Sequence, residues 1–85
     1  MRDPWSAEKV LLREELRAMR ERAGLTQAEL SKSLGKPQSY ISKVESGDRS
    51  ISLLEVRALC LGCGVPLQNF VRTLEAKLRS LPTFP

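Results

Sequence analysis

GLTQAELSKSLGKPQSYISKVESG, residues 24–47, decides how the rest of the chain is read. Thr26-Gln27-Ala28-Glu29 is a capping box: a threonine hydroxyl can accept from the backbone three residues on, and the glutamate can reach back. It opens a short helix with Ala28, Leu30 and Leu34 inward. Gly35-Lys36-Pro37 stops that helix and starts another, because glycine tolerates positive φ and proline suits a first turn. In the next run, residues 38–47, Tyr40, Ile41 and Val44 fall at i, i+1 and i+4, one side of a helix, closed by Ser46-Gly47. Ser39, Ser42 and Ser46 fall at i, i+3 and i+7 on another side, beside Gln38 and Lys43. Serine costs a helix roughly half a kcal/mol relative to alanine. A serine face therefore calls for a reason beyond helix formation.

Working outward, Trp5, Leu12, Leu16, Met19 and Ala23 recur at helical spacing, which predicts an amphipathic first helix over Trp5 to Ala23. Asp3-Pro4 reads as its cap and first turn, its Glu and Arg residues as an outer face, and Gly24 as its stop. After a loop over Asp48 to Ile51, Ser52-Leu53-Leu54-Glu55 is a second capping box. It opens a fourth helix with Leu53, Val56, Leu59, Cys60 and Cys63 on one side, ending at Gly64. Pro66 stands near the start of a fifth, whose stripe is Leu67, Phe70, Val71, Leu74 and Leu78. Residues 80–85 read as a tail. The expectation is an all-α, compact five-helix bundle, one domain over residues 1–85. Helices two and three form a helix-turn-helix, two short helices about a glycine-containing turn.

Composition sets bounds without choosing a function. Eighty-five residues give room for one small core, so dimerisation would add useful burial. With 41% hydrophobic and 28% charged residues the chain reads as globular. A net charge of +4 permits an anionic partner but does not demand one, since Thr26 to Ser52 holds four basic residues against three acidic. No apolar run has membrane-spanning length, and the charged N-terminus is unlike a secretory signal, so a cytoplasmic protein is the default. There is no histidine, no metal-ligand set and no phosphate loop, which argues against an enzyme and gives no cofactor, metal or small-molecule ligand. Cys60-Leu61-Gly62-Cys63 reads as two small buried residues at i, i+3, because a zinc site needs four ligands.

The ordered set Gly24-Leu25-Thr26-Gln27, Glu29-Leu30, Leu34-Gly35, Gln38 to Lys43, Glu45-Ser46-Gly47, Leu59 and Gly64-Val65 resembles the lambda-repressor-like helix-turn-helix family, the Cro, phage-repressor and XRE type. The resemblance spans about residues 10–75. It implies a DNA-binding transcription regulator whose third helix enters the major groove of double-stranded DNA. On that footing Gln38, Ser39, Ser42 and Lys43 are the base-contacting candidates, with Gln38 matched to adenine and Lys43 to guanine acceptors or a phosphate. The phosphate candidates are Gln27, at the start of helix two, with Lys36, Tyr40, Ser46 and Arg49. Arg20 and Glu45 match a salt bridge that orients the third helix. Phe70, Val71, Leu74 and Leu78 match a region through which the family commonly makes homodimers. Trp5 reads either as a staple on the bundle or as a further dimer contact. The regulator would be a repressor or autoregulator on a partly palindromic operator. The alternative is an antitoxin-type module that binds a toxin protein and its own promoter. The plainer readings are a solvated third helix with chance serines and a solvated loop arginine at Arg49.

Overall fold

The computed structural model describes the backbone of residues 4–81 and the side chains of residues 7–81. The order is α1 (Pro4–Arg22), α2 (Gln27–Ser33), α3 (Tyr40–Ser46), α4 (Leu53–Cys63) and α5 (Leu67–Leu78). Both capping boxes form, at Thr26 with Glu29 and at Ser52 with Glu55, each satisfying two N-terminal backbone donors. α1 packs on α3, α4 and α5, α2 packs on α3 and α4, and α4 packs on α5. The core is Leu16 and Met19 of α1, Leu30 of α2, Tyr40, Ile41 and Val44 of α3, Val56, Leu59 and Cys60 of α4, and Phe70 of α5. The five expected helices are therefore present, with α3 locked at the centre by Ile41 and Val44.

α3 begins later than its sequence pattern suggests. Gln38 and Ser39 lie in the turn before it, and Ser39 occupies the N-cap without a side-chain cap bond. The missing acceptor comes from α2. Ser31 is completely buried, and its Oγ accepts from the Ile41 N–H at 3.1 Å. The Ser31 carbonyl also accepts from the Lys36 N–H in the turn. One small polar residue thus fastens both the turn and the third helix to the second, and it satisfies a donor that burial would otherwise leave orphaned.

Four expectations are corrected by the packing. Leu53, placed on the inward side of α4, is the first residue of that helix and is 66% exposed. Ala23 lies past the end of α1 and is exposed. Glu15, assigned with the other acids to the outer face of α1, is 1% exposed and bonded to Arg22 and to Lys77 of α5. Burial pushes its carboxyl up, but the hydrogen bonds and charges of Lys77 and Arg22 outweigh that and leave it lowered. Phe70, offered to a second copy, is 3% exposed in the core of its own chain. Gly62, unexplained by sequence, sits where α4 meets α2: a Cβ there would stand 2.8 Å from Leu30 Cδ1. The side chains of Asp3, Trp5 and Phe84, and residues 82–85 of the expected tail, lie outside the described residues.

Replacing Ser31 by alanine is expected to cost about 1–2 kcal/mol, the loss of a cap bond together with an unsatisfied buried N–H. Urea denaturation measures this; an unshifted midpoint would show that the α2–α3 bond contributes nothing.

Candidate nucleic-acid interface

α3 has two unlike sides. At 100° per residue, Tyr40, Ile41 and Val44 face the core, while Ser42, Lys43 and Ser46 face solvent. Gln38 and Ser39 continue the solvent side ahead of the helix, and both are exposed. The outward surface carries short hydroxyls, one amide and one ammonium. Short side chains let a helix axis approach a groove closely, and these groups can donate and accept toward base edges. The arrangement brings Gln38, Ser39, Ser42 and Lys43 to one exposed stretch.

The opposite side is held by a bidentate ion pair. Arg20 Nε donates to Glu45 Oε2 at 2.7 Å and Nη2 to Oε1 at 3.1 Å, while Nη1 donates to the Leu25 carbonyl at 2.8 Å. The two side chains are only 9% and 7% exposed. The hydrogen bond to Glu45 raises the Arg20 pKa against the opposing effect of burial. Gln27 Nε2 also donates to Glu45 Oε1, at 2.8 Å. Glu45 therefore receives α1 and α2 together, which sets the roll of α3 about its own axis.

The phosphate candidates are placed less uniformly. Lys36 is exposed in the turn, beside a shallow groove lined by Ala28, Lys32, Gly35 and Gln38. Lys32 is a cation that sequence reasoning passed over. Gln27 has its amide nitrogen engaged with Glu45. The Ser46 hydroxyl donates to the Lys43 carbonyl at 3.1 Å and accepts from the Asp48 N–H at 3.3 Å, so it shapes the end of α3. Tyr40 does not offer the hydroxyl proton expected of it: the ring is buried, and the hydroxyl donates to Glu55 Oε2 at 2.8 Å. Arg49 lies over the Tyr40 ring, with Cζ 4.9 Å from its centroid, and its Nη1 is 2.8 Å from Glu55 Oε2. Lys36 Nζ is 5.5 Å from the same centroid. Arg13 was also missed. Its guanidinium covers Gly47, where a Cβ would stand 2.9 Å from Cζ, and Gly47 closes α3 at φ +88. The available signal was its position seven residues before Arg20, on the same helical face.

Two consequences are measurable. Glu45→Ala leaves Arg20 without its partner in a nearly dry site and is expected to cost about 3 kcal/mol. The loss in Arg20→Ala/Glu45→Ala should be smaller than the sum of the single losses; full additivity would mean the pair is not coupled. Glu55 is lowered from 4.5 to about 2 by the Ser52 backbone hydrogen bond first and then by the Tyr40 hydroxyl. A depressed carboxylate contributes stability above its unfolded pKa and loses it as pH falls toward the folded value. Glu55→Gln should therefore flatten the stability curve between about pH 4.5 and pH 2 relative to the parent chain. Parallel curves over that window would contradict the assignment.

A helix-turn-helix family model matches residues 16–70, more than half of the chain. An XRE-family like protein from Pseudomonas syringae pv. tomato str. DC3000 has 36% sequence identity and a TM-score of 0.79, covering 85% of this chain and 88% of its own. A hypothetical transcription factor NHTF from Neisseria has the same fold at 22% identity and a TM-score of 0.71, covering 95% of this chain and 92% of its own. No functionally curated protein matches. The family match, the 36% identity over most of both chains and the second and third helices described above agree: the chain belongs to the XRE-type helix-turn-helix family of DNA-binding transcription regulators.

Proposed function

We propose that the protein is a repressor or autoregulator that binds a partly palindromic DNA operator as a homodimer in the cytoplasm. The observation that carries this reading is the two-sided α3: a dry side tied to α1 and α2 through Glu45 and Ser31, and a polar side built from Gln38, Ser39, Ser42 and Lys43. In this reading those four residues meet base edges. Gln38 takes the donor–acceptor pair of an adenine, Lys43 a guanine acceptor or a phosphate, and the two serines permit close approach. Lys36, Arg49 and the N-terminus of α2 with Gln27 address phosphates. Arg20 and Glu45 set the angle at which α3 enters the groove.

A two-fold pair of such domains places its third helices in successive major grooves, about 34 Å apart. Val71, 44% exposed, with the half-buried Leu74 and Leu78, is the part of α5 left for a second copy once Phe70 is assigned to the core. Occupancy of a promoter is enough for repression, so the reading needs no effector site.

A second reading is supported by α4, where Leu53, Leu54 and Leu61 are 66%, 77% and 64% exposed. An antitoxin-type module would use such a surface to hold a toxin protein while α3 binds its own promoter. Co-expression with the product of an adjacent small reading frame, followed by size-exclusion chromatography, separates the readings: a stable heteromer favours the second.

Footprinting on the DNA upstream of its own gene should show two protected half-sites one helical turn apart, with log K falling linearly in log salt as several phosphates are neutralised. Lys43→Ala and Gln38→Ala should each lose about 1–3 kcal/mol at particular base pairs and relax preference there. Binding that ignores salt, or a site preference unchanged in both variants, would contradict the proposal.

A further inference from the structure

The loop after α3 and the start of α4 share a four-residue cluster that spans the whole reading element. Tyr40 is the first residue of α3, Lys36 lies in the turn before it, Arg49 in the loop after it, and Glu55 in the first turn of α4. Glu55 divides its oxygens. Oε1 accepts from the Ser52 N–H at 3.0 Å, and Oε2 meets both the Tyr40 hydroxyl and Arg49 Nη1 at 2.8 Å. A carboxylate fixed at both oxygens has one available orientation. Arg49 is fixed as well: its backbone N–H donates to the Lys43 carbonyl at 3.1 Å, its Nη1 donates to the Ser50 carbonyl at 2.9 Å, and its Cζ lies over the Tyr40 ring.

A guanidinium has five N–H donors. Arg49 Nη1 donates to the Ser50 carbonyl and pairs as an ion with Glu55, while its Nε and Nη2 find no acceptor among the described residues. Those two nitrogens form the side-on edge of the fork, the same edge with which Arg20 holds both oxygens of Glu45. The Arg49 side chain is 42% exposed, so an oxyanion has access to it. Lys36 and Arg49 both lie over the Tyr40 ring and Glu55 pairs with Arg49, so these four residues carry two positive charges against one negative.

We propose that Glu55 and Tyr40 are positioning residues for DNA-backbone binding: they hold Arg49 so that its side-on edge is presented, already oriented, to one phosphate. This rests on the DNA-binding reading above. An acidic residue near the duplex then strengthens binding through geometry, even though its charge alone would repel a phosphate. Holding the fork in advance lowers the ordering cost of a long side chain on association.

The test uses the tightest duplex recovered by in vitro selection with the unmodified protein, with a random-sequence duplex of equal length as the comparison. Glu55→Gln should weaken binding to the selected duplex about 5- to 20-fold, and Tyr40→Phe, which keeps the ring and the Ser52 cap, about 2- to 5-fold, within the usual range for a charge-assisted phosphate contact. Base preference should be unchanged in both. In an Arg49→Ala background neither substitution should weaken binding further, a coupling that general loss of stability would not produce. Binding by Glu55→Gln as tight as or tighter than the parent would overturn the proposal, as would full additivity with Arg49→Ala, while leaving the DNA-binding reading intact. Failure of the unmodified protein to select any duplex would overturn both.

Discussion

Everything that α3 can do depends on the carboxylate of Glu45. It is nearly dry, it takes the fork of Arg20 at both oxygens, and one of those oxygens also accepts from Gln27. Three helices therefore converge on a single side chain. Buried ion pairs add little net stability compared with apolar packing, but removing one partner is expensive. Such a pair acts mainly as an alignment device. Ile41 and Val44 anchor α3 to the core without fixing its rotation, because apolar contact is non-directional. The pair, together with the Ser31 cap on Ile41, supplies the direction that apolar packing lacks.

The outward side of α3 follows from that constraint. Once Tyr40, Ile41, Val44 and Glu45 are committed inward, the remaining positions of a seven-residue helix are Ser42, Lys43 and Ser46. The turn ahead of it adds Gln38 and Ser39, and the loop behind it adds Arg49. The polar surface is thus spread over turn, helix and loop, with the rigid part in the centre. Tyr40 links the two flanks, since Lys36 and Arg49 both lie over its ring and its hydroxyl reaches α4 through Glu55.

Much of this was legible in the sequence because it is local. Capping boxes need residues three apart, and both form as read at Thr26 and Ser52. The stops at Gly24, Gly35, Gly47 and Gly64 all adopt positive φ. The Arg20–Glu45 pair spans 25 positions and came from resemblance alone, with the structure supplying the geometry. What was missed depends on contacts between distant parts of the chain. Glu15 looked like an outer acid because Lys77, its partner, lies 62 residues away. Gly62 had no explanation in the sequence because Leu30, the side chain it admits, belongs to another helix. Phe70 was indistinguishable from Val71 in the α5 stripe, since periodicity names a side of a helix and not what covers it. Tyr40 was read as a core-side residue with a hydroxyl for phosphate, but that hydroxyl is received by a capping glutamate fifteen residues on.

In the proposed function the serine-bearing side of α3 meets duplex DNA while the α4–α5 surface does not. Amide chemical-shift mapping of the labelled protein during titration with a selected duplex tests it directly. The largest shifts are expected at Gln38, Ser39, Ser42 and Lys43, with further shifts at Lys36 and Arg49, and little change at Leu54, Leu61 and Val71. Shifts concentrated on α4 and α5, with residues 38–43 unmoved, would contradict it.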